Sequence, residues 1–189
     1  MEQRLMEAGL SVFQHKGVRF TMDDLARAMG ISKKTVYELV ESKEALIAGI
    51  IGQLHADIHR QQADILADTC LRPAEKLERI LTVLPACGTC FEYGRLAELE
   101  DKYPAQFERM TRLLNQGWET TFALYREGVA QGELRPCPPE LFKTLYTSAV
   151  TALFHDRFVL RHGLAYADTL REVVSILMHG FAHTAAGPA

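Results

Sequence analysis

Three helix starts follow one another within residues 20–46, FTMDDLARAMGISKKTVYELVESKEAL, and no other stretch of the chain restricts the fold so tightly. Thr21 followed by Asp24 has capping-box spacing, with Phe20 before the cap and Leu25 at the fourth helical position as a hydrophobic staple. Ser32 repeats the device: its side chain is placed to accept the free N–H groups of the next helix, and Ile31 to staple to Val36. Ser42 caps a third, longer helix. The helices between these caps have about eight and seven residues, too short to stand alone in water. They must fold against each other. Leu25, Ala26, Met29, Ile31, Val36 and Leu39 supply the apolar seam, and Gly30 permits the turn that sets two such helices at about 90–120°.

That geometry is a helix-turn-helix, whose second helix enters the major groove of a DNA duplex by its N-terminal end. Lys33 and Lys34 occupy that end, where the helix macrodipole favours acids, so their placement is locally unfavourable unless a phosphate or a guanine edge meets them. Thr35 is placed to reach a phosphate or to present its methyl to a thymine, and Tyr37 to bring its hydroxyl to the DNA backbone. Lys43, beside the start of the next helix, adds a phosphate site together with free N–H groups. Each has a plainer reading alone: a Lys-Lys pair is usually solvated surface, a serine cap only a cap, a single tyrosine a half-buried packing residue. The combination points to double-stranded DNA.

The remainder reads as helix. Sustained period-two alternation and Asn-Gly or Asp-Gly hairpin turns are missing, and Gly and Pro punctuate segments of helical periodicity. Nine helices are expected, over 2–16, 22–29, 33–39, 43–67, 73–84, 88–100, 104–131, 139–161 and 166–185. In the seventh, Phe107, Met110, Leu114, Trp118, Phe122, Tyr125 and Val129 form one apolar face. The last two carry two adjacent apolar positions per turn, among them Leu141/Phe142, Leu145/Tyr146 and Val173/Val174. A stripe this wide implies a second buried surface, and Gly180 and Ala182 permit close approach, so a homodimer built as a four-helix bundle from the last two helices is expected.

Apolar residues make up 48% of the 189 and charged residues 24%, an ordinary globular balance with room for units of about 50 and 140 residues. A net charge of −3 excludes a protein that coats nucleic acid by charge alone. Even residues 1–50 are balanced, with Arg4, Lys16, Arg19, Arg27, Lys33, Lys34 and Lys43 set against Glu2, Glu7, Asp23, Asp24, Glu38, Glu41 and Glu44. Placement of charge must therefore matter more than its sum. The opening MEQRLMEAGL lacks the order of a secretory signal, and the longest apolar run, ALIAGII, falls short of the ~18–20 residues of a spanning helix, so a cytoplasmic chain with no membrane contact is expected. Its four cysteines are expected to stay reduced.

The run TMDDLARAMGISKKTVYELVESKEAL resembles the N-terminal domain of the TetR (tetracycline-repressor) family: a threonine before helix two, a Leu-Ala pair, Gly-Ile-Ser, Thr-Val-Tyr, then Lys-Glu-x-Leu opening helix four. The preceding LMEAGLSVFQHKG is similar to the family's first helix, and together they cover about 45 residues without a gap. DKYPAQFERM, YREGVAQGELRP and SILMHGFAHTAAG are similar to shorter segments of the family's C-terminal domain. The resemblance implies an all-α chain with a DNA-binding domain at 1–46 and a ligand-binding and dimerisation domain at 47–189. It also implies DNA-facing residues Thr21, Lys33, Lys34, Thr35, Tyr37 and Lys43, a palindromic operator, and a small-molecule effector that releases the dimer from it. Position 39 departs from the pattern, being Leu where many relatives place His, Tyr or Trp, so no contact is expected there. From amphipathicity, the aromatic lining of the implied pocket is expected to include Phe91, Tyr93, Trp118, Phe122, Tyr125 and Tyr146.

Other chemistries are weaker. Cys87-x-x-Cys90 has redox or metal spacing but no second Cys or His pair near it and no strand context. His55 and His59 are four apart and share a helix face, a two-ligand arrangement with no carboxylate beside it. His155, Asp156 and His162 could serve acid–base chemistry, but nothing orders them around a nucleophile. No metal, cofactor or catalytic residue is assigned, and the competing readings are a helical-bundle enzyme and a Cys-based redox sensor.

Overall fold

A computed structural model of the chain describes residues 1–86, 97–155 and 158–181. Eleven α-helical segments account for most of them: α1 (Glu2–Lys16), α2 (Met22–Met29), α3 (Lys33–Leu39), α4 (Lys43–Ala67), α5 (Pro73–Thr82), α6 (Ala97–Lys102), α7 (Pro104–Leu114), α8 (Trp118–Ala130), α9 (Pro139–His155), α10 (Phe158–Arg161) and α11 (Tyr166–Phe181). A 3-10 turn, Gly17–Arg19, follows α1. The chain is all-α, with no strand among the described residues.

The three expected caps form. Thr21 Oγ1 accepts from the Asp24 N–H at 3.2 Å while Asp24 Oδ2 accepts from the Thr21 N–H at 2.9 Å, closing the capping box of α2. Ser32 and Ser42 each accept the backbone N–H three residues on, at 3.1 Å, and so begin α3 and α4. Gly30 ends α2 in the left-handed region, φ 67°, which a residue with a Cβ enters only at a cost. Beneath this unit Leu5, Phe13, Val18, Phe20, Leu25, Val36, Leu46 and Ile47 are fully buried, with Phe13 and Phe20 in edge-to-face contact.

The long α4 joins both halves: its first turns pack on α1, and further along it packs on α5 and α7. The C-terminal helices close around α5, which lies against α8 and α11, while α9 packs on α11. Phe142 stacks on Tyr125 and meets Trp118 edge-on, and Trp118 also meets Tyr146. Tyr125 is a tie as well as a core residue. Its hydroxyl donates to the Arg135 carbonyl at 2.8 Å and accepts from the Cys137 N–H at 2.7 Å, and burial pushes it up to about 12.

The seventh expected helix, 104–131, is two helices. Asn115–Gly117 interrupts it, with Gly117 at φ 70°, the Asn115 amide donating back to the Thr111 carbonyl at 2.9 Å, and Lys143 Nζ of α9 donating to the Asn115 carbonyl at 2.8 Å. The apolar face hides the break because Leu114 and Trp118 stay four apart across it, and the Trp118 indole N–H donates to the Leu114 carbonyl at 3.0 Å. Smaller differences concern ends. α5 stops at Thr82 rather than 84, and the sixth expected helix is described only as 97–102, since 87–96 lie outside the described residues. The eighth is helical over 139–155 and 158–161, and 182–185 of the ninth lie outside.

On α9 and α11 the wide stripe divides in two. Phe142, Tyr146, Val150, Leu153, Leu170, Val174 and Met178 are buried, whereas Leu141, Leu145 and Ile176 are 49%, 42% and 64% exposed.

Candidate functional site

Val36, fully buried, pins α3 to α2 and so turns the opposite side of α3 outward. Lys33, Lys34 and Tyr37 project from that side, Tyr37 being 47% exposed. Lys33 Nζ reaches Asp23 at 2.9 Å, which raises its pKa through that hydrogen bond and the carboxylate's charge, and Lys34 Nζ lies 4.0 Å from Glu38. Both pairs are exposed and screened by solvent, so neither lysine is locked. Thr35 is half-buried, its hydroxyl 2.9 Å from that of Ser32. Thr21 is exposed at the start of α2 and engaged in its capping box. Leu39 is half-buried against the core rather than turned to the surface.

Lys43 is placed differently from the expectation. Its ammonium donates to the Val18 carbonyl at 2.6 Å and lies over the rings of Phe20 (4.4 Å) and Tyr103 (5.4 Å), inside the joint between the N-terminal helices and α7. A carbonyl 25 residues away and two aromatic faces outcompete solvent for this charge. Two further contacts cross the same joint: Arg19 approaches Glu98 of α6 at 3.6 Å, and Gln106 of α7 donates to the Glu44 carbonyl at 3.5 Å.

Between α4, α5, α7, α8, α9 and α11 lies a cavity of about 200 Å³. Trp118 and Tyr146 line it, as expected of them. Phe122 and Tyr125 are not among its lining: Phe122 packs against Trp118, and Tyr125 is committed to Arg135 and Cys137. Phe91 and Tyr93 lie outside the described residues, as do Cys87 and Cys90. Tyr146 is committed too, donating its hydroxyl proton to the Leu81 carbonyl at 2.8 Å, and burial drives its pKa upward.

The cavity's polar character comes chiefly from α4. His55 and His59 both line it with their Nε2 atoms 3.0 Å apart and rings edge-to-face at 4.3 Å. Burial, and secondly the neighbouring His59, lower the pKa of His55 against a backbone hydrogen bond at Leu113 that favours its protonated form. The four-residue spacing was readable in the sequence. That this face would meet the break between α7 and α8 was not, because the break itself is invisible in the periodicity.

No group of three or more His, Cys, Asp or Glu residues able to hold a metal ion occurs among the described residues. Of the possible acid–base group, His162 is exposed and Asp156 lies outside the described residues. No helix among the described residues is long and apolar enough to cross a membrane.

Residues 5–50 match the family model described as bacterial regulatory proteins, tetR family. An uncharacterized HTH-type transcriptional regulator of Bacillus subtilis, YvaF, is 27% identical over 180 residues, 95% of each chain. Among solved structures, a TetR transcriptional regulator from Chloroflexus aurantiacus shares the fold at a TM-score of 0.66 with 19% identity over 94% of this chain and 92% of that one. The regulator FadR from Bacillus subtilis, solved in complex with stearoyl-CoA, does so at 0.62 with 14% identity over 95% and 99%. These relatives are regulators of transcription rather than enzymes. With the helix-turn-helix at residues 20–46 and the helical C-terminal body behind it, the chain matches the tetR family over its DNA-binding residues 5–50 and shares the overall fold of solved TetR-family regulators.

Proposed function

We propose that this regulator is a homodimeric, ligand-responsive repressor that acts in the cytoplasm on a palindromic operator. The observation that carries the reading is the tip of α3: Lys33, Lys34 and Tyr37 stand outward while Val36 on the opposite side is fully buried. Two copies of α3, one per subunit, would enter major grooves about 34–36 Å apart, the spacing of one helical turn of DNA. Thr21, Thr35 and Tyr37 would position the phosphate backbone, and Lys33 and Lys34 would meet phosphates or guanine edges. Lys43, held at Val18, serves in this account as a hinge tie between the DNA-binding residues 1–46 and the effector-binding residues 47–189.

The outward residues Leu141, Leu145 and Ile176 support pairing of α9 and α11 with their copies. The cavity supports an effector, and the complex of FadR with stearoyl-CoA is an example of a small molecule held by this fold. Because α4 lines the cavity at one end and begins at the Lys43 joint at the other, a shift of α4 on ligand binding would change the separation of the two α3 helices. A coupling of about 1–3 kcal/mol is enough for a 5–150-fold change in operator affinity.

The test uses promoter fragments of the source genome that the protein retains. Lys34→Ala and Tyr37→Ala are expected each to weaken retention about tenfold while the melting temperature moves by no more than about two degrees. Equal loss of fold and of DNA binding would mark these side chains as structural and remove the proposed interface.

A further inference from the structure

We infer that the effector is a small organic anion, a single carboxylate on an apolar body about the size of one aromatic ring, received by His55 and His59 at the cavity wall. The inference rests on the ligand-responsive reading above and names the chemistry of its ligand.

Size sets the first limit. A cavity of about 200 Å³ is modestly larger than the ~150 Å³ apolar cavities that accept benzene, and below the ~300 Å³ at which drug-sized sites begin. Polarity sets the second. Most of the lining is aliphatic or aromatic, Ile51, Leu54, Ile58, Met110, Leu114 and Trp118 among it. Several polar groups there are already used: Gln62 donates to the Ile80 carbonyl at 3.0 Å, Thr111 to the Glu108 carbonyl at 3.0 Å and Tyr146 to the Leu81 carbonyl at 2.8 Å. What a ligand meets is the imidazole pair, with Gln116 and Thr121 as neutral neighbours.

Two Nε2 atoms 3.0 Å apart share one proton, one ring donating and the other accepting. In that state the pair has nothing to give an amide or an alcohol that it does not lose between its own rings. A carboxylate changes the balance. One proton taken from solvent makes both Nε2 atoms donors, and the two N–H groups can fork onto the two oxygens of one carboxylate. Anion and added proton together leave the cavity no more charged than before, which is what an apolar lining requires.

The surroundings agree. Among the described residues that line the cavity there is no Asp, Glu, Lys or Arg, and the other titratable groups are Tyr146 and Tyr166. The nearby charges are occupied elsewhere: Asp57 on α4 is paired with Arg60, Lys143 of α9 donates to the Asn115 carbonyl at 2.8 Å, and Arg112 of α7 lies 3.7 Å from Glu108. From α7, the last turn at Leu113 presents a backbone partner to His55, and last-turn carbonyls favour a cation there. A divalent cation is the competing occupant of a two-histidine face. With no carboxylate in the described lining, its charge would stay uncompensated in an apolar cavity, so the anion is preferred.

Isothermal calorimetry on the full chain tests this with two acids, benzoate and hexanoate, and their neutral counterparts, benzamide and hexanamide, in buffers of different ionisation enthalpy. The expected result is that an acid binds at least about tenfold tighter than its amide, takes up about one proton, and weakens about tenfold for each pH unit above neutrality. His55→Gln and His59→Gln should abolish the proton uptake and bring acid and amide together. An amide that binds as tightly as its acid without proton uptake overturns the anion and leaves a ligand-responsive cavity standing. Binding of none of the four, by a protein that still retains its promoter fragments, overturns the anion proposal. Tight binding of Ni²⁺ or Zn²⁺ that the same variants lose, with no response to the acids, makes the pair a metal site and overturns the proposal.

Discussion

At the scale of single residues, the informative side chains are those whose partners lie far off in sequence. Lys33 and Lys34 stay near the surface with exposed carboxylates ten and four residues from them, pairs weak enough to yield to a phosphate. Lys43 looks identical in the sequence and is not, because Val18, Phe20 and Tyr103 converge on it only after α1 and α7 have docked. His55 carries a consequence for stability. Its ordinary pKa is 6.5, and burial followed by the charge of His59 lowers it in the folded chain. Below its ordinary value the unfolded chain therefore binds more protons at this position than the folded one, so its contribution favours folding less as pH falls. Melting curves between pH 7.5 and pH 5 should show the His55→Gln variant gaining on the wild type as the solution is acidified; a constant difference across that range would contradict the burial of this imidazole.

At the scale of elements, what the sequence reveals depends on how local the cause is. The caps at Thr21, Ser32 and Ser42 and the turn at Gly30 are decided within three or four residues, and each was legible. The break between α7 and α8 was not, because an apolar spacing of three and four runs through it in phase and no proline marks it. Gly117 is the residue that makes the break, and its φ of 70° gives a test. An added Cβ would meet His59 Cε1 at 3.5 Å, an ordinary contact, so the cost of Gly117→Ala is that of the left-handed backbone, about 1–2 kcal/mol. That corresponds to a fall in Tm of roughly 2–8 °C for a chain of this size. Gly117→Asn should lose less, since Asn tolerates this region better. Stability unchanged or raised by the alanine would mean that 104–131 is one continuous helix. The cavity lay beyond sequence reading for a related reason: Trp118 and Tyr146 were identified by periodicity, but which aromatic side chains face the void and which tie down a loop, as Tyr125 does, is settled by packing between five or six helices.

At the scale of the whole molecule, the proposed function requires two copies of the chain acting as one reader of DNA. Leu145 and Ile176 belong to the outward stripe, and an exposed position of a monomer tolerates a charge with little change in stability, within about 0.5 kcal/mol. Leu145→Glu should therefore keep its helical spectrum while light scattering shows a monomer in place of a dimer; a variant that still elutes as a dimer would put the interface elsewhere. The charge balance of residues 1–50 adds a constraint, because affinity for a duplex must come from a few placed lysines rather than from a basic surface. The direct measurement is operator affinity as a function of salt for the wild type and for a chain carrying both Lys33→Ala and Lys34→Ala. Each phosphate neutralised contributes about 0.9 to the slope of log affinity against log salt, so loss of one contact per subunit should flatten the dimer's slope by about two units. Parallel lines for the two proteins, whatever their absolute affinities, would show that the tip of α3 does not touch the phosphate backbone.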